Sequence, residues 1–144
     1  MITIHKSIHI DKPVKEVFDF ISDFSNDILW RKDAAKAGSL PAGVIRKGTI
    51  SSETFFLFDK KIIVPVVITE FIPDIKITYL STAPILEAEF VRIAENENSG
   101  TSFTYALKAE LTGLPMVAPV IAAESLGKRI EDDLENLRHF FSNK

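Results

Sequence analysis

The sequence predicts an α+β protein in which a curved antiparallel sheet of six to seven strands wraps around one long C-terminal helix. Three observations carry this. Segments alternating polar and apolar residues follow one another from Thr49 to Leu111. The links between them are short, which forces antiparallel neighbours, because a parallel crossover needs a dozen or more residues. The last stretch, from about residue 117 to 142, has apolar residues three or four apart and no proline after Pro119.

Residues 2–10 place Ile2, Ile4, Ile8 and Ile10 on one parity and Thr3, His5, Ser7 and His9 on the other, the pattern of a half-buried strand. Lys6 interrupts the apolar side. A helix is expected next, capped at Asp11 or Lys12 with Pro13 in its first turn and Val14, Val17, Phe18, Ile21 and Phe24 along one face. Ser25-Asn26-Asp27 reads as a break and a new cap for a short second helix through Ile28, Leu29 and Trp30. Gly38, Pro41, Gly43 and Gly48 punctuate a stretch expected to hold a short strand near 33–39 and then a loop.

The strands expected after it are Thr49–Phe58, Lys61–Ile72, Ile75–Thr82, Ile85–Glu95 and Thr101–Leu111. Asp59-Lys60, Pro73-Asp74, Ala83-Pro84 and Asn96 to Gly100 separate them. The closing helix places Val120, Ile121, Leu126, Ile130, Leu134, Leu137 and Phe141 on one stripe and runs for about 39 Å. Such a stripe needs burial, and the concave face of the sheet is the only surface large enough.

The 144 residues suit a single domain spanning 1–144, and folding at that size buries roughly 70% of the chain's surface. The formal charge is −3, with Lys and Arg scattered, which speaks against nucleic acid as a partner. There is no cysteine, so disulfides and thiolate chemistry are excluded. The N-terminus lacks the apolar block of a signal peptide, and the longest apolar runs, about ten residues, are too short to span a bilayer. A cytoplasmic protein without stable membrane insertion is expected. No cofactor or metal is expected either: His5 and His9 lie about 13 Å apart on one strand, too far to share an ion. His139 reads as a solvated residue near a helix C-terminus. Nucleophile-elbow, phosphate-loop, dinucleotide and zinc-protease motifs are missing.

The ordered set of local motifs resembles the START-like helix-grip (SRPBCC) superfamily, and within it the polyketide cyclase/dehydrase and lipid transport-like group. Ile8 through Phe18 is similar to the family's strand-to-helix opening, Asp23-Phe24-Ser25-Asn26 through Trp30 to its second helix, and Gly48-Thr49 to the lead into its next strand. Thr69 through Pro73 with Ile77-Thr78-Tyr79 resembles its central hairpin, and Gly100 through Phe103 the turn into its last strand. The resemblance implies a sheet gripping a helix with a cavity between them that holds lipids, sterols, polyketides or hormones. It implies no catalytic residue, since the family has no universal one.

Eleven phenylalanines, against one Trp and two Tyr, suit a thick core or an apolar pocket. A dry void of ~300 Å³ costs about 7 kcal/mol on the slope for engineered cavities, comparable with total stability. A pocket therefore holds ligand, holds water on a polar lining, or is filled by side chains. The expected lining is Trp30, Phe56, Val66, Ile68, Tyr79, Phe90, Phe103, Tyr105, Leu107, Ile121 and Glu124. Tyr105 shares parity with Phe103 and Leu107, and Tyr79 with Ile75 and Ile77. Each tyrosine either orients a ligand or leaves its hydroxyl at the rim. Gly127 interrupts the helix and leaves room for a ligand or for a Phe of the sheet.

Residues 85–95 are ambiguous, because Glu87 and Glu89 share parity with Val91 and Ile93 while Arg92 shares it with Ala88 and Phe90. A half-exposed rim or a register-shifting bulge is the expected resolution. An inward carboxylate beside Arg92 or a tyrosine is the alternative, and that arrangement permits proton transfer. The functions expected are binding of an apolar small molecule or lipid, a cyclase or dehydrase using polar groups in the same cavity, or a protein-interaction module with a filled core. Leu114 to Ala123, apolar and uncharged, reads as a buried first turn or an exposed lip.

Overall fold

The structure is a computed structural model that describes residues 2–31, 45–57, 60–82, 87–110 and 119–143, without the side chains of 55–57, 60 and 119. In chain order it contains β1 (Ile2–Ile10), α1 (Val14–Ile21), a 3-10 helix (Phe24–Leu29), β2 (Ile50–Leu57), β3 (Lys60–Ile72), β4 (Lys76–Ser81), β5 (Glu87–Glu97), β6 (Gly100–Glu110) and α2 (Pro119–Ser142). The strands form one antiparallel sheet in the order β1-β6-β5-β4-β3-β2. The strand expected near 33–39, Asp59 of the expected Asp59-Lys60 turn, the Ala83-Pro84 break and Leu114–Ala118 lie outside the described residues, and Lys60 already belongs to β3.

Register sets the inner face in rows. Ile4, Leu107, Phe90, Tyr79 and Ile68 form one row across five strands, and Lys6, Tyr105, Arg92, Ile77 and Phe71 form the next. Ile8, Phe103 and Ala94 follow on one side, and Ile2, Ala109 and Ala88 on the other. Of the rim or bulge expected for residues 85–95, no bulge occurs over 87–95, where pairing with β4 and β6 is unbroken, and Glu87 is exposed and Glu89 half-buried, as at a rim; the register shift occurs in β3, between Ile68 and Glu70. There the Thr69 hydroxyl donates to the Thr78 carbonyl at 3.2 Å.

Local chemistry explains the connections. β5 and β6 meet in a two-residue turn, Asn98-Ser99, both at positive φ (49° and 68°), the hairpin turn whose twist suits the strands. Asp74 at φ 61° turns β3 into β4. Pro13 proves to be the N-cap residue of α1 rather than a member of its first turn, its φ of −61° and extended ψ leading the chain in. Asp23, not Asp27, caps the 3-10 helix, accepting from the Ser25 amide at 3.0 Å.

α2 lies along the inner side of the sheet against β1 and β2, burying Leu126, Ile130, Leu134, Leu137 and Phe141. Phe20 of α1 stacks on Phe140 at 4.6 Å and meets Phe141 edge-on at 5.3 Å, tying the two helices together. Val120 and Ile121 depart from the expected stripe: they are 71% and 53% exposed, because Ala122 takes the buried position at the start of α2. It is not a Phe of the sheet that approaches Gly127. The Lys6 side chain passes there, and a Cβ on Gly127 would stand 3.3 Å from Lys6 Cε. Lys6 goes on to pair with Glu131 at 2.7 Å, which is how a lysine occupies an inner-face position at the edge of the sheet.

Candidate functional site

Most of the interior is apolar, but a compact polar network crosses it. Arg92, fully buried on β5, donates from Nη1 and Nη2 to the two carboxylate oxygens of Asp27 at 3.0 and 2.6 Å. Its Nη1 also donates to the Ile21 carbonyl at the end of α1 (2.8 Å), and its Nε to the Tyr79 hydroxyl (3.0 Å). The guanidinium lies 4.0 Å from the centre of the Phe24 ring, a cation–π contact in a water-poor setting.

Glu53 on β2 is the second hub, 1% exposed. The Tyr79 hydroxyl donates to its Oε2 at 2.6 Å and the Tyr105 hydroxyl to the same oxygen at 3.2 Å. The Thr54 amide donates to Oε1 at 3.0 Å, and Arg31 pairs with that oxygen while also donating to the Thr54 carbonyl. Arg31 further approaches Asp27 (3.6 Å) and Asp133 of α2 (3.7 Å). Buried charges persist only when paired and hydrogen-bonded, and here two acids and two guanidiniums interlock, with Asp133 at the margin.

The electrostatics keep the hydroxyls neutral and the guanidiniums charged. Burial pushes the Tyr79 phenol well above its usual value, against the opposing pull of Arg92, and raises that of Tyr105 in the same way. Burial works against the charge on Arg92, but Asp27 and its neighbours outweigh it and hold the group above the ordinary arginine value. The same balance, burial against the nearby Asp27 carboxylate, holds for Arg31. Glu53 accepts from two phenols, an amide and a guanidinium, so little of its carboxylate is left free to act as a base.

Two buried polar atoms at the border of this network have no hydrogen-bond partner among the described residues: Trp30 Nε1 and Ser51 Oγ. Trp30 is 3% and Ser51 4% exposed. The Trp30 ring centre lies 5.9 Å from the Arg31 guanidinium and 5.6 Å from that of Arg92, with the Phe103 ring edge-on at 6.2 Å. Ser51 shares the inner face of β2 with Glu53, two residues away.

No family model matches the chain, and no curated protein matches it. Solved structures do. TTHA0849 from Thermus thermophilus superposes over 98% of this chain and 97% of its own, with a TM-score of 0.78 at 17% identity. Ara h 8.0201 covers 99% and 98%, with a TM-score of 0.69 at 13% identity. DynU16, a protein of the dynemicin biosynthetic locus, matches 97% of this chain with 47% of its own length, at a TM-score of 0.66 and 14% identity. The chain has the START-like helix-grip fold. The grip is the six-stranded sheet described above, and the gripped element is α2.

Within this helix grip the expected lining residues sort by position. Tyr79, Phe90, Val66, Ile68, Phe103, Tyr105, Leu107 and Trp30 are all buried. Tyr79 stacks on Phe90 at 5.1 Å and meets Phe24 edge-on at 5.0 Å, so these rings pack on one another and on the network. Ile121 is 53% exposed, and Glu124 lines a groove of about 500 Å³ between α2 and the edge strand β1, with Lys6, Val120 and Gly127. Both side chains are exposed at the start of α2. The Phe56 side chain lies outside the described residues. Ile75, read with Tyr79, sits in the turn before β4 and is 52% exposed.

Four residues of the network were not among the expected site: Asp27, Arg31, Glu53 and Arg92. The alternation in β5 did contain the signal for Arg92, which shares parity with Ala88, Phe90 and Ala94; all four are buried. The inward carboxylates beside the tyrosines are Asp27 and Glu53, not Glu87 or Glu89. Glu87 is exposed and Glu89 half-buried.

Proposed function

We propose that this chain binds, and carries, an apolar small molecule or lipid between the sheet and α2. The observation that carries the proposal is the pair Trp30 Nε1 and Ser51 Oγ, buried without partners among the described residues at the border of the polar network. Leaving such atoms unsatisfied costs about 1–3 kcal/mol each, so a bound molecule that meets them recovers that energy. The fold supports the reading as well, since a sheet curved around a helix is a common frame for interior sites. A cytoplasmic location belongs to the same proposal. No helix among the described residues is long and apolar enough to cross a membrane.

The test is native mass spectrometry of protein purified gently from cells, joined to titration with the uncharged dye N-phenylnaphthylamine. A retained apolar mass or saturable dye uptake supports binding. The bare chain with no dye uptake overturns it.

A cyclase or dehydrase acting on a polyketide-like substrate is the second reading, favoured by the contact of one carboxylate with two phenols and by the likeness to DynU16. Saturation of Glu53 and the raised phenol values weigh against proton transfer at neutral pH, which places binding first.

A further inference from the structure

Resting on that binding reading, we infer that the ligand presents an uncharged hydrogen-bond acceptor, a ketone, ester or hydroxyl oxygen, to Trp30 Nε1 and Ser51 Oγ. The indole N–H only donates, so its partner must accept; a serine hydroxyl donates a bond or accepts one from a hydroxyl. Both residues adjoin the Arg31–Glu53 pair. Trp30 precedes Arg31 in the chain, Arg31 pairs with Glu53, and Ser51 sits two positions before Glu53 on the same face of β2, about 7 Å along the strand.

The surroundings decide against an anionic head group. Among the described residues, the charged groups joined to Arg31 and Glu53 are the acids Asp27 and Asp133 and the base Arg92. Arg92 donates to Asp27, Ile21 and Tyr79 and lies 3.6 Å from Glu53; Arg31 pairs with Glu53, donates to Thr54 and lies 3.6 and 3.7 Å from Asp27 and Asp133. A ligand carboxylate would compete with the acids each arginine already faces and would lose its hydration. A neutral carbonyl meets the two orphan donors at a far smaller desolvation cost.

Two amphiphiles of equal chain length separate the cases: methyl decyl ketone and dodecanoic acid. Both are titrated into the wild-type protein by following the emission of Trp30, the sole tryptophan, and by calorimetry. Calorimetry with Trp30→Phe and with Ser51→Ala follows, each variant checked for a native circular dichroism spectrum. The expected result is saturable ketone binding, preferred over the acid by about tenfold or more, and weakened about tenfold by each substitution. Acid binding as tight as ketone binding overturns the inference, as does ketone affinity unchanged in a natively folded variant of either residue. If N-phenylnaphthylamine binds and the ketone does not, the ligand class is wrong and the binding reading stands. If none of the three binds, the binding reading itself falls.

Discussion

Arg92 of β5 and Asp27 of the 3-10 helix are joined by two parallel hydrogen bonds, 3.0 and 2.6 Å long, across 65 residues of sequence. This fork fastens the N-terminal helices to the middle of the sheet, since Arg92 also holds the last carbonyl of α1, that of Ile21. Replacing one partner strands the other charge in the interior. Arg92→Met is expected to destabilise the fold by about 3–5 kcal/mol. Asp27→Leu combined with Arg92→Met should cost clearly less than the sum of the single changes. Urea midpoints of the four proteins check this; an additive double variant would mean that the two residues are not coupled.

The only two tyrosines, Tyr79 and Tyr105, are both buried, and burial raises both phenols. A group whose folded value lies above its unfolded value contributes stability that is present below the unfolded value, about 10, and lost as pH rises toward the folded one. Stability should therefore be flat through neutral pH and fall above about pH 10. A spectrophotometric titration should show no tyrosinate until the near-ultraviolet circular dichroism collapses. Tyrosinate appearing in the native protein near the ordinary phenol value would contradict the buried placement.

At Gly100 a Cβ would stand 2.6 Å from the Ile10 carbonyl oxygen, a backbone atom held by the β1–β6 pairing. Backbone cannot swing aside as a side chain can. Gly100→Ala is expected to lower stability by about 1–3 kcal/mol, a fall of several degrees in melting temperature.

Gly127 is the opposite case. Its added Cβ would meet only the far part of the flexible Lys6 chain, at 3.3 Å. Alanine is the better helix former by ~1 kcal/mol, so Gly127→Ala should raise the melting temperature by about 2–4 °C if Lys6 keeps Glu131. A lowered melting temperature would show that the lysine is locked in place.

Much of the fold was legible in the sequence because it rests on periodicity. The parity of Phe103, Tyr105, Leu107 and Ala109 foretold the inner face of β6, and the spacing of Leu126, Ile130, Leu134, Leu137 and Phe141 foretold the buried stripe of α2. The candidate site was less legible. Tyr79, Tyr105 and Trp30 are expected inside from the sequence, but Arg92 stands in a strand whose two parities both carry charge, so an inward Arg92 is only the alternative, and Asp27 belongs to a segment that reads as a cap. A buried charge looks like an error until its partner is known, and that partner is 65 residues away.

The order of elements, the antiparallel sheet and the helix it grips follow from alternation and spacing, local properties that burial must respect. Only the tertiary structure decided which charges lie inside and which polar atoms are left open there. Arg92 belongs inside because Asp27, Ile21 and Tyr79 converge on it, and the open donor of Trp30 is visible only once the groups around it have been paired. Hydrogen bonds between distant segments leave no period in the chain, so that part of the molecule is written in register and packing alone.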